Sequence, residues 1–468
     1  MSNDATRTEK DSMGDVEVPA GRYYGAQTQR AVDNFPVSGL AMPGRFVHAL
    51  GLVKWAAARA NTALGLLDAP IGDAIAAAAL EVAEGQWDGE FVVDVFQTGS
   101  GTSTNMNANE VVANLAIERL GGRLGSKDPV HPNDHVNLGQ SSNDVIPTAL
   151  HVAAAGAIVT ELLPAIDGLR ASLERKAIEF AGIVKIGRTH LMDAVPMTLG
   201  QEFSGWEAQV AHGLTRVSGS LPGLLELAIG GTAVGTGLNA HPEFAPRVVS
   251  ALRERTGLEF REAENRFEAL AARDAAVHAS GCLRGLAVAL TKIATDLRLL
   301  ASGPRCGIAE IVLPALQPGS SIMPGKVNPV VPEMVAQVAA RVVGNDATIA
   351  LAGASGFLEL HTMMPLVAYD LLQSISILGS ASRLLAERCV DGIAADPVRA
   401  AALIEGSLAM VTALAPRIGY DAAAKIARES WETGRTVREV ARAHRVLPDR
   451  ELDEALDPLR MAHPEGRR

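Results

Sequence analysis

A run of aliphatic residues near the middle of the chain constrains the fold more than any other feature of the sequence. Successive members are three or four residues apart, and the run consists of Leu283, Leu286, Leu290, Ile293, Leu297 and Leu300. This spacing places all six side chains on one face of an α-helix. A helix over 265–302 would be roughly 60 Å long. Because so long a helix is not stable alone, we expect other helices to pack along its length.

Other parts of the chain show similarly long helical patterns. These segments lie near 144–180, 200–228, 328–354 and 365–393. Pro164 and Pro222 fall inside two of them and predict a kink or a break at each position. The sequence therefore predicts a mainly α fold with a central bundle of five long helices.

The patterns divide the chain into three predicted domains. Residues 1–140 mix short helical patterns with polar stretches, and we expect an N-terminal mixed domain with substrate-binding loops. Residues 141–395 contain the five long patterns and form the predicted bundle domain. Residues 396–468 contain shorter elements interrupted by prolines and form a small C-terminal domain. Because helices of this kind expose long apolar stripes, we expect several copies of the chain to associate into a common helical bundle.

Composition and charge limit the classes of partner. The chain has 468 residues, of which 48% are hydrophobic, and a formal net charge of −11, which argues against binding to nucleic acid or an anionic membrane. Its three cysteines lie far apart without CxxC spacing, as expected for reduced thiols. The first 14 residues are polar, and no uninterrupted apolar run approaches the roughly 20 residues that span a bilayer. We therefore expect a cytoplasmic protein.

Polar segments between the helical patterns are candidates for chemistry, because each clusters small hydrogen-bonding residues. They lie at 98–107, 140–144, 187–190 and 318–329. In the first, a helix start capped by Asn107 and Glu110 is the simpler interpretation, and binding of a carboxylate by hydroxyls and backbone N–H groups is the alternative. The second segment also suits helix capping. Capping needs only one such residue, however, so spare hydrogen-bond donors remain for a ligand.

The third and fourth segments contain a histidine and a loop. A lone histidine such as His190 is more often a hydrogen-bonded core residue than a catalytic one. Five of the twelve residues in 318–329 are Pro or Gly, which predicts a mobile loop that enters a helix after Pro329. The loop carries four polar residues suited to base catalysis or anion binding: Ser320, Ser321, Lys326 and Asn328.

Common cofactor and metal motifs are absent from the sequence. Gly325-Lys326 resembles the end of a phosphate-binding P-loop, but the preceding glycine is one residue too distant and Val327 replaces the required Ser or Thr. Gly99-Ser-Gly101 lacks the third glycine of a dinucleotide-binding turn. His131 and His135 have the spacing of a zinc helix, but the proline between them disfavours that helix. We therefore predict no cofactor and no metal.

Taken together, these segments resemble the fumarase/aspartase superfamily, and most closely its class II fumarases. The superfamily signature is matched by Gly319-Ser-Ser-Ile-Met-Pro-Gly-Lys-Val-Asn-Pro329. Further similar stretches lie at 24–30, 98–110, 131–144, 187–194, 199–205 and 230–239. Within the superfamily, Gly325 matches fumarases, whereas aspartases resemble the same loop with Ala at that position.

The resemblance implies an activity and a set of site residues. The implied reaction is the reversible hydration of fumarate to L-malate, a tricarboxylic acid cycle step, in a homotetramer whose active sites each combine three subunits. Ser320 resembles the base that takes the C3 proton of malate, with Lys326 stabilising the aci-carboxylate intermediate. His190, oriented by Glu333, would protonate the leaving hydroxyl through a water. The implied substrate-binding residues are Ser100, Gly101, Thr102, Ser141, Ser142, Asn143, Thr189, Ser321, Lys326, Val327 and Asn328.

The sequence departs from the fumarase pattern in two places. A second dicarboxylate site is implied by His131, Pro132, Asn133 and Asp134. However, Asp128 replaces the arginine that fumarases carry near this site, and its charge would repel a dicarboxylate. In addition, fumarases usually carry Asn at the position of His361 and often Lys at that of Met364, so these residues predict altered packing near the site or a shifted substrate preference.

Two alternative functions stay open on the same scaffold. One is an ammonia-lyase of the aspartase type, which acts on the same dicarboxylate skeleton. The other is a structural relative that has lost catalysis, because a fold alone does not determine a function.

Overall fold

A computed structural model of the chain describes residues 5–463. Residues 1–4 and 464–468, at the outer ends of the predicted first and third domains, lie outside the described residues. The predicted mainly α fold is confirmed, because the described part consists largely of helices joined by loops and by short two-stranded pairs.

The helices are numbered in chain order. In the first half of the chain they are α1 (Ala26–Asn34), α2 (Gly44–Ala63), α3 (Ala69–Ala83), α4 (Thr102–Arg119), α5 (Ser142–Ala157), α6 (Leu163–Glu179), α7 (Leu199–Ser218), α8 (Leu221–Leu224) and α9 (Phe244–Thr256). In the second half they are α10 (Arg266–Ala271), α11 (Asp274–Leu300), α12 (Val330–Gly353), α13 (Met364–Arg388), α14 (Pro397–Glu405), α15 (Ala415–Ile418), α16 (Tyr420–Thr433), α17 (Val437–Ala443), α18 (Asp449–Ala455) and α19 (Pro458–Ala462).

Within residues 5–463, the strands form five separate pairs. They are β1 (Thr6–Asp11) with β2 (Gly14–Pro19), β3 (Val184–Thr189) with β4 (Met192–Thr198), β5 (Glu226–Leu227) with β6 (Arg261–Glu262), β7 (Ile311–Val312) with β10 (Ala394–Ala395), and β8 (Gly356–Phe357) with β9 (Leu360–His361). Only β5 and β6 are parallel, and the other pairs are antiparallel.

The aliphatic run in α11 is buried as predicted. All six of its side chains are at most 4% exposed. The helix is shorter than the sequence suggested, because 265–302 divides into α10 and α11 with an extended backbone at Ala272 between them. With 27 residues, α11 is roughly 40 Å long. The prediction of one unbroken helix over 265–302 is therefore wrong at its start.

Pro222 lies at an interruption of its helical segment, as predicted, whereas the helix continues through Pro164. Ahead of Pro164 the helix widens into a π-helical turn over Ile158–Leu162, which gives room for a ring that would otherwise clash with the preceding turn. The segment predicted over 200–228 ends at Ser218, and Pro222 lies in the first turn of the short helix α8, where its missing N–H costs nothing.

One segment meets the length and composition of a membrane-spanning helix, which the sequence analysis did not anticipate. Ser142–Glu179 is helical throughout and contains a window of mean hydropathy 1.7. Of that window, 56% is buried inside the protein, and the core helices of soluble proteins meet the same criterion.

One compact unit comprises Met1–Pro164, Thr215–Gly285 and Ala340–Gly379. Within it, α2 is buried along most of its length and packs against α3, α5 and α9. The approach to α3 is very close at Gly51, where an added Cβ would lie 2.6 Å from the backbone N of Ala83. Small residues on both helices therefore allow the tight packing that an alanine-rich sequence favours.

The other compact unit comprises Ala165–Leu214, Leu286–Ala339 and Ser380–Arg468. Its helices α14–α19 surround a small apolar core that includes Ile404, Met410, Leu414, Ile426, Val440, Leu452 and Leu456. Ile186 of β3 joins this core, and the β3–β4 hairpin packs against α14 and α19. The division into three domains with boundaries at 140 and 395 stays a prediction.

Candidate active site

The first polar segment leads into α4, and no hydroxyl group caps the start of this helix. Helix α4 begins at Thr102, and its preceding residue Gly101 has a left-handed backbone with a φ of 73° and makes no side-chain cap. The interpretation of Asn107 as a cap is wrong, because Asn107 lies within the helix and donates to the Glu90 carbonyl at 2.9 Å. The carboxylate of Glu110 instead accepts backbone N–H groups from the segment that begins α1.

The second polar segment caps α5 and meets the first. Ser141 is the N-cap, in a reciprocal capping box with Asp144. Ser142 Oγ lies 2.7 Å from Thr102 Oγ1, which in turn lies 2.8 Å from Ser100 Oγ. The structure thus brings Ser100, Thr102 and Ser142 into one hydrogen-bonded chain of hydroxyls, which we call the hydroxyl cluster.

The surroundings of the hydroxyl cluster suit a negatively charged ligand. Its members lie at or next to the first turns of α4 and α5, where backbone N–H groups and the helix dipole favour anions. Nearby, Asn143 Nδ2 donates to the Ala233 carbonyl at 2.8 Å, which leaves its second N–H for a ligand. The cluster can therefore donate several hydrogen bonds to one carboxylate.

The Asp144 carboxylate helps to position the first turn of α5. It is fully buried and accepts N–H groups from Ser141, Gly230 and Thr232 at 2.9–3.0 Å. Burial raises the pKa of Asp144 to about 6 despite these donors. The loop 230–232 is thereby fastened to the start of α5, close to the hydroxyl cluster.

The third polar segment is the tip of the β3–β4 hairpin, in the other compact unit. Thr189 pairs with Met192, so His190 and Leu191 form the two-residue turn, and both have a left-handed backbone with φ of 56° and 64°. His190 is exposed, so the interpretation of a hydrogen-bonded core histidine is wrong. The hairpin thus presents the Thr189 and His190 side chains to solvent.

Arg188, close to the turn of this hairpin, binds a partner that the sequence analysis missed. Its guanidinium makes two hydrogen bonds, of 2.9 and 3.0 Å, to the carboxylate of Glu310, which is 1% exposed. Lys185 also lies 3.4 Å from the same carboxylate. No sequence signal pairs these residues, because Glu310 is 122 positions from Arg188.

The fourth polar segment is a loop, as predicted, and hydrogen bonds within it hold its shape. Gly319 N donates to the Lys326 carbonyl at 2.7 Å, and Asn328 Nδ2 donates to the Gly319 carbonyl at 2.8 Å. Ser320 Oγ accepts the backbone N–H groups of Ile322 and Met323 at 3.2 and 3.1 Å. Two N–H donors at this oxygen stabilise negative charge on it.

The remaining loop residues are open to solvent. Ser321, Lys326 and Val327 are exposed, and a shallow cavity beside the loop is lined by Ser320, Lys326 and Val327 among others. Glu333 follows in the first turn of α12. Within the described part of a single chain, no hydrogen bond joins Glu333 to His190.

The segment proposed for a second dicarboxylate forms a π-helical turn over Pro132–Val136. His131 Nδ1 accepts the N–H groups of Asn133 and Asp134 and lies 3.3 Å from the Asp134 carboxylate. A cavity of ≈ 590 Å³ is lined by Asn133 and Asp134 and also by Ser141. The imidazole nitrogen that faces this turn therefore already accepts hydrogen bonds from the backbone of the turn.

His361 and Met364, at positions where fumarases usually carry other residues, are both buried. His361 Nε2 lies 2.9 Å from the Ala352 carbonyl, and burial, aided by the charge of Arg273, lowers the pKa of His361 to about 4. Met364 is 0% exposed and begins α13, and its N–H donates to the Gly99 carbonyl at 2.9 Å. An added Cβ at Gly99 would lie 1.8 Å from the Thr362 carbonyl oxygen. The departures therefore lie in a segment that packs against the turn carrying Ser100.

Within residues 5–463, no group of three or more His, Cys, Asp or Glu side chains is placed to hold a metal ion. The candidate residues of the four polar segments, each taken within its own unit, offer hydroxyls, amides, one lysine, one histidine and backbone N–H groups. Such a set can bind carboxylates and transfer protons.

Comparison with known proteins identifies the class to which this fold and site belong. A family profile described as lyase matches residues 14–344, and one described as the fumarase C C-terminus matches residues 410–463. The chain is 55% identical to the class II fumarate hydratase of Methylorubrum extorquens, covering 98% of this chain and 97% of that protein. It is also 55% identical to the class II fumarate hydratase of Halobacterium salinarum, covering 99% and 98% respectively.

A solved structure agrees with these relatives. The class II fumarase from Schistosoma mansoni matches with a TM-score of 0.95 and 42% sequence identity, over 98% of this chain and 100% of that one. The chain therefore belongs to the lyase family and, within it, to the class II fumarases.

Proposed function

We propose that this protein is a fumarate hydratase, which reversibly adds water to fumarate to give L-malate without a cofactor. The observation that carries the proposal is the environment of Ser320. Its hydroxyl accepts two backbone N–H groups on a glycine- and proline-rich loop. A serine can act as a base only if its alkoxide is stabilised, and these donors contribute to that stabilisation.

The proposed mechanism assigns a role to each group of residues. Ser320 removes the C3 proton of malate, which places a second negative charge on the adjacent carboxylate. Lys326 and the second amide N–H of Asn328 stabilise this aci-carboxylate, which forms only along the reaction path. His190, acting through a water and oriented by Glu333, protonates the departing hydroxyl.

The remaining polar residues bind the substrate. The hydroxyl cluster binds one carboxylate together with Gly101, Ser141 and Asn143, and Thr189, Ser321 and Val327 contribute from the other segments. We further propose a homotetramer in which each active site combines residues of three subunits, in the cytoplasm, at the tricarboxylic acid cycle step between fumarate and malate. The proposal includes a second dicarboxylate site at His131–Asp134, where the negative charge of Asp128 opposes binding of the ligand.

A single assay tests the reaction. Purified protein incubated with fumarate should remove the absorbance of the conjugated alkene and produce L-malate with no ammonium present. Turnover that requires ammonium and yields aspartate would identify an ammonia-lyase instead. Absence of both activities in a folded protein would support a non-catalytic relative. Methyl-substituted fumarate analogues and aspartate, assayed in parallel, would report any change in preference associated with His361 and Met364.

A further inference from the structure

A fully buried lysine contacts the segment that precedes Ser141. Lys54 lies within α2 and is 0% exposed. Its Nζ donates to Asn137 Oδ1 and to Gln140 Oε1, both at 3.0 Å. Removing an ammonium group from water costs several kcal/mol unless polar groups replace the lost hydration. An apolar side chain would fill the same space at lower cost, so the ammonium itself calls for an explanation.

Asn137 connects this lysine to α4. Its Oδ1 also accepts Nδ2 of Asn105 and Nδ2 of Asn109, each at 3.2 Å. Asn105 and Asn109 follow Thr102 by three and seven residues, so the three side chains lie on one face of α4. Lys54 is therefore linked by hydrogen bonds to both helix starts that carry the hydroxyl cluster.

Three side-chain amide oxygens around this network have no hydrogen-bond donor among residues 5–463. The Oδ1 atoms of Asn61, Asn105 and Asn109 are buried and have no hydrogen-bond partner among the described residues. Asn61 itself donates to the Leu138 carbonyl at 3.0 Å, in the same segment. Burial lowers the pKa of Lys54 to about 7, and the nearby charge of Asp144 opposes that shift. The amide oxygens of Asn137 and Gln140 replace part of the hydration that the buried ammonium has lost.

We infer that Lys54 is a positioning residue that fixes residues 137–143 against α4, so that Thr102 and Ser142 bind the same carboxylate. Lys54 does not touch the hydroxyl cluster itself; it acts through Asn137 and Gln140. A displacement of about 1 Å at a binding group is enough to reduce activity substantially. The effect of Lys54 on turnover rests on the proposed function. Its effect on the position of residues 137–143 does not.

The principal test is Lys54→Met, which keeps an unbranched apolar side chain and removes the ammonium. The KM for fumarate and the inhibition constant of succinate, a dicarboxylate that cannot react, should each rise about tenfold or more, with kcat changed less than about threefold. Lys176→Met is the matched control. Lys176 is also a buried lysine on a helix, but it donates to Glu179 and to the Ile393 carbonyl, so its replacement should leave both constants unchanged.

Amide hydrogen exchange provides a second readout that does not depend on turnover. In Lys54→Met, exchange should become faster across 137–146, including the N–H groups of Gln140 and Val145, which donate to Asn137 and Ser141 carbonyls. Peptides from α3 should exchange at the wild-type rate. Should Lys54→Met not fold, Gln140→Met removes one acceptor of the ammonium from a half-buried position and should give the same changes to a smaller extent.

The inference is overturned if Lys54→Met lowers only the melting temperature, with KM and exchange over 137–146 at wild-type values. Unchanged exchange and KM in Gln140→Met would likewise overturn it. If the wild-type protein does not turn over fumarate, the proposed function fails, and the exchange comparison alone decides whether Lys54 fixes this segment.

Discussion

The hydroxyl cluster and the 319–329 loop represent two different ways to build a functional region. The cluster lies on the first turns of two helices and is supported by buried groups, among them Asp144 and Asn105. The loop is mostly exposed, with Ile322 83% exposed at its tip, and its shape depends on hydrogen bonds among its own residues. The comparison indicates that the proposed carboxylate-binding groups are preorganised, whereas the proposed base lies on a mostly exposed segment.

The largest effect should come from the loop. We expect Ser320→Ala to lower kcat by about 10²–10⁴-fold, because the proposed base is removed while the binding residues stay. Steady-state kinetics with malate measures the loss. Ser321→Ala is the matched control and should mainly raise KM. Near wild-type turnover of Ser320→Ala would remove Ser320 from the base role.

A smaller effect is expected in the hydroxyl cluster. Thr102→Val keeps the shape of the side chain but removes the hydroxyl between Ser100 and Ser142. Loss of a hydrogen bond to a charged ligand costs about 1.5–3 kcal/mol, so kcat/KM should fall about 10- to 100-fold. Ser103→Ala removes a hydroxyl that contacts Thr98 instead, and should change kcat/KM little. Equal effects of both variants would contradict a specific role for the cluster.

The support beneath the cluster can be tested through a glycine. Gly99→Ala places a methyl group against the Thr362 carbonyl, which should destabilise the protein by about 1–3 kcal/mol and weaken substrate binding through Ser100. Chemical denaturation and KM are the measurements. Gly156→Ala in α5 adds the same methyl group where nothing lies within 4 Å, and should stabilise the helix by about 1 kcal/mol. A stable Gly99→Ala variant with unchanged KM would show that this turn tolerates displacement.

An effect on stability alone, with no change in turnover at neutral pH, is expected from the titration of His361. His361 takes up a proton near its ordinary pKa of 6.5 when unfolded, but only near 4 when folded. The unfolded state therefore binds more protons between these values, and folding stability falls as the pH falls from 6.5 to 4, by up to about 1.4 kcal/mol per pH unit. His361→Asn should remove this contribution in urea titrations at several pH values. If the unfolding free energy of this variant changed with pH as steeply as that of the wild type, His361 would not be the source of the pH dependence.

The sequence predicted those features that depend on local pattern. The burial of the aliphatic run in α11, the interruption at Pro222 and the capping by Ser141 all follow from spacing or residue type. The break between α10 and α11 did not, because the alanine-rich sequence around Ala272 has uniform helix propensity. The extended residue Ala272 is followed directly by Arg273, whose side chain is packed inside the protein and 2% exposed. Tertiary packing thus overrode the local preference.

The candidate site shows the same limit to prediction from local sequence pattern. The four polar segments could be found by inspection because their composition is unusual. The buried residues that support these segments could not be found in this way, since a lysine within a helical pattern, such as Lys54, is normally expected on the surface. The pairing of Arg188 with Glu310 joins residues from distant parts of the chain, and a single sequence contains no signal for it.

The turn at His190 and Leu191 has a consequence for protein engineering. Two-residue turns with left-handed backbone at both positions strongly favour Asn-Gly. For other residues the left-handed conformation costs about 1–2 kcal/mol each. The hairpin therefore keeps a conformationally unfavourable dipeptide at its tip. Selection for heat resistance alone would favour replacing it with Asn-Gly. On the proposed mechanism, the more durable protein would lack its proton donor.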